Sequence, residues 1–178
     1  LIPRQDTEIL VETALEKLKE ISNPVNLLDM CTGSGCILLS ILYYMKNKKQ
    51  ITGTGVDISD KALEVARKNA KLLGLSVDFL QSNLFDKITD KYSMIVSNPP
   101  YIRSDVIKTL QEEVREHDPM LALDGMEDGL YFYRKIISES EKYLQADGYL
   151  IFEIGHDQGL DVSNMMKDAG FRDVLIKK

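Results

Sequence analysis

An α/β fold built on a mostly parallel sheet is what this 178-residue sequence predicts, and three observations predict it. Short apolar runs alternate with helical patterns along the chain, which implies right-handed βαβ units with helices on both faces of a twisted sheet. A glycine-rich turn, Thr32-Gly33-Ser34-Gly35, joins the first of these runs to a helix. Polar residues then recur where later runs end, at Asp57, Asn83 and Asn98. With 44% hydrophobic residues the chain can bury one sizeable core, so residues 1–178 are expected to form a single domain.

Each element has its own warrant. Asp6 or Thr7 is placed to cap a helix whose apolar positions Ile9, Leu10, Ala14 and Leu18 keep helical spacing. Val25 to Met30 reads as a buried strand, followed by the apolar helix Ile37 to Met45. Ile51 to Ile58 is the next strand; Ser59 or Asp60 caps the helix from Lys61 to Leu73, and Gly74 stops it. Ser76 to Gln81 and Tyr92 to Ser97 are two more strands, after which Arg103 to Gly129 is the longest irregular candidate. A helix from Leu130 to Leu144 places Tyr131, Phe132, Tyr133 and Ile136 toward the core. A strand from Tyr149 to Ile154, a helix around Asp161 to Ala169 and a last strand over Val174 to Ile176 complete the order. If the chain stops at Lys178, the edge at Val174 to Ile176 invites pairing with a second copy.

Composition excludes several classes. A formal charge of −6 argues against broad nucleic-acid affinity, which rests on neutralising phosphates. No apolar run approaches a membrane span, and the first residues lack a signal-peptide layout. Cys31 and Cys36 stand without a CxxC pair or a Cys/His cluster, so no metal is expected, both read as small buried hydrophobes, and a reducing cytoplasm is the natural setting.

The tetrapeptide Asn98-Pro99-Pro100-Tyr101 carries the most chemistry. Two prolines fix φ twice, remove two N–H donors and hold Asn98 extended. The corner is stiff and rich in acceptors, with an aromatic face, and suits a planar group bearing an NH2. Upstream, Gly33 and Gly35 allow a tight turn and close backbone approach to a ligand at the carboxyl end of the strands. Asp57 is placed to accept both hydroxyls of a ribose, and Asn83 to meet an adenine edge with Leu84 and Phe85 covering the ring.

Leu27-Leu-Asp-Met-Cys-Thr-Gly-Ser-Gly35 and Gly55-Val-Asp57 resemble the cofactor motifs of class I S-adenosylmethionine-dependent methyltransferases, whose fold is Rossmann-like. Three further blocks narrow the likeness: Pro3-Arg-Gln-Asp-Thr-Glu8, Ser97-Asn-Pro-Pro-Tyr-Ile102 and Ala122-Leu-Asp-Gly-Met-Glu-Asp-Gly-Leu130. Together they are similar to the HemK/PrmC family, which methylates the side-chain amide nitrogen of glutamine in peptide chain release factors. The resemblance implies that Cys31, Thr32, Gly33, Ser34, Gly35, Asp57, Asn83 and Leu84 hold S-adenosylmethionine, with Asn98 beside the methyl donor. It implies that Asn98, Pro99, Pro100 and Tyr101 hold the substrate glutamine. It also implies a helical domain ahead of residue 1 and a strand beyond Lys178. Gln5 departs from a proline of the family pattern, Asn83 from a common acid and Met126 from a glycine. Two rival substrates fit less of the chain: a ribosomal-protein glutamine, and a nucleic-acid adenine, which would want a basic face.

For the transfer itself, Asn98 Oδ1 and the Pro99 carbonyl are expected to accept the two amide hydrogens, with Tyr101 holding the amide plane. No strong base is required, and His117 and His156 read as surface or loop residues. Arg4 and Glu8 suit either the cleft or a helix start, and Asp124, Asp128 and Gly129 suit either a substrate-facing loop or a plain turn.

Overall fold

Five apolar runs pair into one all-parallel sheet in the computed structural model, which describes residues 5–22, 24–107 and 120–177. β1 (Val25–Met30) lies between β2 (Ile51–Asp57) and β4 (Tyr92–Ser97); β3 (Asp78–Gln81) flanks β2, and β5 (Leu144–Phe152) flanks β4. The order is therefore β3-β2-β1-β4-β5. Strands are added outward on one side of β1, then the chain returns to its other side. This reversal is where open parallel sheets bind ligands, beyond the carboxyl ends of the strands.

Successive side chains of a strand point to opposite faces. Val25 and Leu27 of β1 and Met94 and Val96 of β4 share a core cluster with Leu10, Ala14 and Leu18 of α1 (Gln5–Leu18) and Ile37, Leu38 and Ile41 of α2 (Cys36–Met45). The alternate residues Leu28, Met30 and Ile95 are equally buried, so β1 and β4 are covered on both faces. That is why these strands read as continuous apolar runs. α3 (Asp60–Leu73) ends as its sequence predicts: Ser59 Oγ accepts the Ala62 amide at 3.3 Å, and Gly74 closes the helix at φ 61°.

The described chain divides into two compact units, Leu1–Asn98 with Ser140–Glu153, and Pro99–Glu139 with Ile154–Lys178. The first holds the whole sheet. The second holds α4 (Ser104–Ile107), α5 (Met120–Leu123), α7 (Gly159–Asp168) and most of α6 (Tyr131–Tyr143). The stretch expected to be irregular from Arg103 thus carries α4, α5 and a parallel bridge between Ile102 and Asp124. Arg4, His117 and Lys178 lie outside the described residues.

Several boundaries differ from the sequence reading. α1 already includes Gln5, so Thr7 sits in its first turn and its hydroxyl donates to Glu153 Oε2 at 2.7 Å instead of capping. β5 starts at Leu144; the five-residue step from Leu144 to Tyr149 faces the two-residue step from Tyr92 to Met94, a register shift that takes up the extra residues of β5. In α6, Tyr133 and Ile136 are buried as expected, whereas Tyr131 faces outward. Val174 to Ile176 forms no strand. An apolar run without a neighbouring strand leaves its N–H and C=O groups unpaired, and Leu175 is largely exposed.

Candidate functional site

The polar groups expected at strand ends in the first unit follow the carboxyl ends of neighbouring strands, and Asp57 touches the glycine-rich loop. The chain leaves β1 through Cys31, held at φ 61°, and turns under three short bonds. The Thr32 amide donates to Val56 O at 2.8 Å, the Gly35 amide to Thr32 O at 2.9 Å, and the Thr32 hydroxyl to Asp29 Oδ2 at 2.5 Å. Asp57, at the end of β2, clamps the loop: its Oδ2 accepts the Gly33 amide at 2.8 Å and its Oδ1 the Ser59 amide at 2.9 Å. Each oxygen keeps a second lone pair, and the side chain is only half-buried, so it can still receive hydroxyls.

The two glycines do different things. A Cβ at Gly33 (φ 57°) would meet nothing within 4 Å, so this residue presents bare backbone to open space. A Cβ at Gly35 (φ 80°) would come within 3.1 Å of Leu39 and 3.3 Å of Ala66, so its smallness serves helix packing. Of the two, Gly33 is the one with open space beside its backbone.

Behind the loop lies Asp29, wholly buried, with Oδ1 making no hydrogen bond to another described residue. Burial pushes its carboxyl up to about 7; the Thr32 hydroxyl opposes the rise and the nearby Asp57 charge adds to it. Burial likewise raises the Cys31 and Cys36 thiols above their ordinary range, which makes them poor nucleophiles.

At the end of β3, Asn83 is exposed and Leu84, at φ 47°, is half-buried. Phe85 is not a ring cover: it is buried and stacked on Tyr143 with centroids 4.7 Å apart. At the end of β4, Asn98 is half-buried, and its side chain makes no hydrogen bond to another described residue. Ser97 just before it is tied to both neighbours: its hydroxyl donates to Met30 O at 2.7 Å, and its carbonyl accepts the Glu153 amide at 3.0 Å. Glu153 is a buried acid at the end of β5 that sequence reasoning missed. Its signal was the same as that of Asp57, an acid closing an apolar strand.

In the second unit, Pro99 and Pro100 are buried and Tyr101 is half-buried. The backbone after Tyr101 is paired to the 123–125 segment: the Ile102 amide donates to Leu123 O at 3.0 Å, and the Gly125 amide to Ile102 O at 2.8 Å. Asp124 and Asp128 act as turn residues. Asp124 Oδ1 accepts from the Ser104 hydroxyl at 2.7 Å and the Met126 amide at 2.9 Å. Asp128 takes both Arg134 guanidinium nitrogens and the Leu130 amide, and the Arg134 bond holds its carboxyl down to about 2. Met126 sits at φ 72°, a left-handed conformation that glycine adopts without strain. Glu8 is exposed, and the His156 side chain is 98% exposed.

A family model described as the methyltransferase small domain matches residues 5–127. The chain belongs to that family. The methyltransferase small domain here is 48% identical over 176 residues to the release factor glutamine methyltransferase of Agrobacterium fabrum, covering 96% of this chain and 60% of that protein. It is 45% identical over 181 residues to the release factor glutamine methyltransferase of Thermodesulfovibrio yellowstonii, covering 100% of this chain and 64% of that one. The chain thus spans less than two thirds of these relatives, and the HemK/PrmC likeness of its motifs extends along its length. Among solved structures, the ribosomal protein L11 methylase of Lactobacillus delbrueckii subsp. bulgaricus superposes with a TM-score of 0.68 at 20% identity, over 98% of this chain and 74% of that one. At that identity the likeness carries the fold, a Rossmann-like α/β methyltransferase fold. No described helix is long and apolar enough to cross a membrane.

Proposed function

We propose that this domain transfers a methyl group from S-adenosylmethionine to the side-chain amide nitrogen of a protein glutamine, the one in the Gly-Gly-Gln loop of class I peptide chain release factors, in the cytoplasm. The observation that carries the reading is Asn98: a half-buried amide at the end of β4, with no described hydrogen-bond partner of its own, followed at once by a proline carbonyl that faces no N–H of the next residue. The relatives named as release factor glutamine methyltransferases support the choice of substrate.

The residues present fit the cofactor. Gly33 offers bare backbone beside open space, Asp57 keeps free lone pairs, and Cys31 to Gly35 follow β1, the strand that neighbours β4, which Asn98 follows. Asn83 and Leu84 complete the edge at β3, and Asn98 serves donor and acceptor alike. When bound, the cofactor supplies an electrophilic methyl on a sulfonium.

The chain's own task is to make an amide nitrogen nucleophilic. Its lone pair is delocalised into the carbonyl, so the nitrogen gains nucleophilicity only as it pyramidalises. Asn98 Oδ1 and the Pro99 carbonyl accept its two hydrogens and bind more strongly as positive charge builds on nitrogen. Tyr101 holds the amide plane. Positioning of this kind is worth effective molarities of ~10⁵ M or more. The N-alkylated amide sheds its proton to water, so no histidine or carboxylate is assigned as base.

The test is mass spectrometry of a recombinant release factor incubated with this chain and S-adenosylmethionine, with Asn98→Ala in parallel. One methyl on the Gly-Gly-Gln glutamine, and turnover lowered about 10²-fold or more in the variant while cofactor affinity falls less, is the expected result. A methyl on another residue, or full activity of the variant, would overturn the assignment.

A further inference from the structure

Gln158 lies immediately before α7, only 7% exposed, and its side chain is almost fully committed. Nε2 donates to Tyr101 O at 3.0 Å and to Gly129 O at 3.1 Å, while Oε1 accepts the Gly155 amide at 3.0 Å. Three of its four hydrogen-bonding positions are used. The orientation of the amide is unambiguous, because both carbonyls can only accept and the Gly155 N–H can only donate.

The surroundings are shaped around this contact. A Cβ at Gly129 would stand 2.5 Å from Tyr101 O and 2.7 Å from Gln158 Nε2; a Cβ at Gly155 would stand 2.8 Å from Gln158 Oε1. A Cβ at Gly125 would stand 2.8 Å from Tyr101 Cα. Two of these glycines, Gly125 and Gly129, thus let their backbone close on Tyr101, and Gly155 makes room for the Gln158 amide. Two carbonyl oxygens brought together repel each other, and a fork with two N–H donors turns the repulsion into attraction. A buried neutral amide does so without carrying a charge into the interior.

We infer that Gln158 is a positioning residue for methyl transfer: its amide ties the Tyr101 carbonyl to the Gly129 carbonyl and so sets the tyrosine that receives the substrate amide. The inference rests on the function proposed above for Asn98 to Tyr101. Gln158 itself touches no reacting atom. It acts on the backbone of Tyr101, together with the Ile102 and Gly125 bonds that continue the same pairing.

Gln158→Glu is the informative substitution. It keeps the acceptor for the Gly155 amide but replaces the NH2 fork with a carboxylate facing two carbonyls. When protonated, the same group regains one donor. Turnover of a release factor by wild type, Gln158→Glu and Gln158→Ala would be followed from pH 5.5 to 8.5, with cofactor affinity measured by calorimetry and amide hydrogen exchange measured at Ile102 and Gly125. The expected result is a kcat lowered about 10–100-fold in both variants at pH 8, with a cofactor Kd within about twofold of wild type. Relative to wild type, Gln158→Glu recovers as the pH falls, whereas Gln158→Ala does not. Exchange at Ile102 and Gly125 accelerates in both. A kcat within about twofold of wild type in both variants, or parallel pH profiles for the two, would overturn the role. If wild type binds cofactor but leaves the release factor unmethylated, the proposed substrate fails instead; unchanged exchange at Ile102 and Gly125 would then still refute the brace.

Discussion

The glycine-rich loop of the first unit and the Tyr101 segment of the second are the two backbone stretches proposed to receive ligands, yet they are held by opposite means. The loop from Cys31 to Gly35 is shaped mainly by short-range bonds and one carboxylate, Asp57, with a second acid, Asp29, buried behind it. The Tyr101 segment is fixed by a neutral amide 57 residues away and by glycines that leave no room for a methyl. The first arrangement is open in front and charged. The second is closed and uncharged. Substitutions and pH should therefore act on them differently.

The largest contrast is expected from the same change made in each. Gly129→Ala forces a methyl against Tyr101 O and Gln158 Nε2 at a backbone angle of φ 74°, and should cost about 3–5 kcal/mol by thermal or urea denaturation. Gly33→Ala meets open space at φ 57° and should cost only about 1 kcal/mol, its main effect being weaker cofactor binding. Equal losses in the two variants would erase the distinction.

Acidity separates the two regions next. Asp29 has a folded pKa raised above its unfolded value, so it contributes most to stability below about pH 4 and loses that contribution as the pH rises through about 7. Wild type should therefore lose on the order of 4 kcal/mol relative to Asp29→Asn between pH 4 and pH 8. Melting curves of the cofactor-free proteins across that range would show it, and a pH-independent difference would remove Asp29 from the account. The brace at Gln158 does not titrate.

The smallest expected effect sharpens the picture of the closed region. Met126 stands in a left-handed conformation with its side chain exposed, so Met126→Gly should raise stability by about 0.5–1 kcal/mol. A variant no more stable than wild type would mean that the side chain contributes packing the backbone strain conceals.

The same contrast explains what the sequence could disclose. Gly33, Asp57 and Asn98 were legible because each is tied to its neighbours or to the end of an apolar run, and the parallel order followed from alternation. Gln158 was not, since Tyr101 lies 57 residues away and no local pattern marks it; Glu153 closes an apolar run as Asp57 does, but its partner Thr7, 146 residues away, is not legible locally. Phe85 was misread because an aromatic beside a binding loop looks the same in sequence whether it faces a ligand or Tyr143. Val174 to Ile176 has the composition of a strand, but composition does not supply a neighbouring edge.

β4 comes back to lie against β1 only after β2, α3 and β3 have been laid down. The bond from the Ser97 hydroxyl to Met30 O spans 67 residues, and it ties the seam from which Cys31 and Asn98 emerge on adjacent strands. During folding, the glycine loop and Asp57 can form early from nearby sequence, whereas the seam must await a slow, non-local pairing. A half-folded chain has the pieces of the binding edge without the edge. A ligand that needs both strands recognises only the completed sheet, and by mass action it holds closed the one pairing on which the whole reversal of the chain depends.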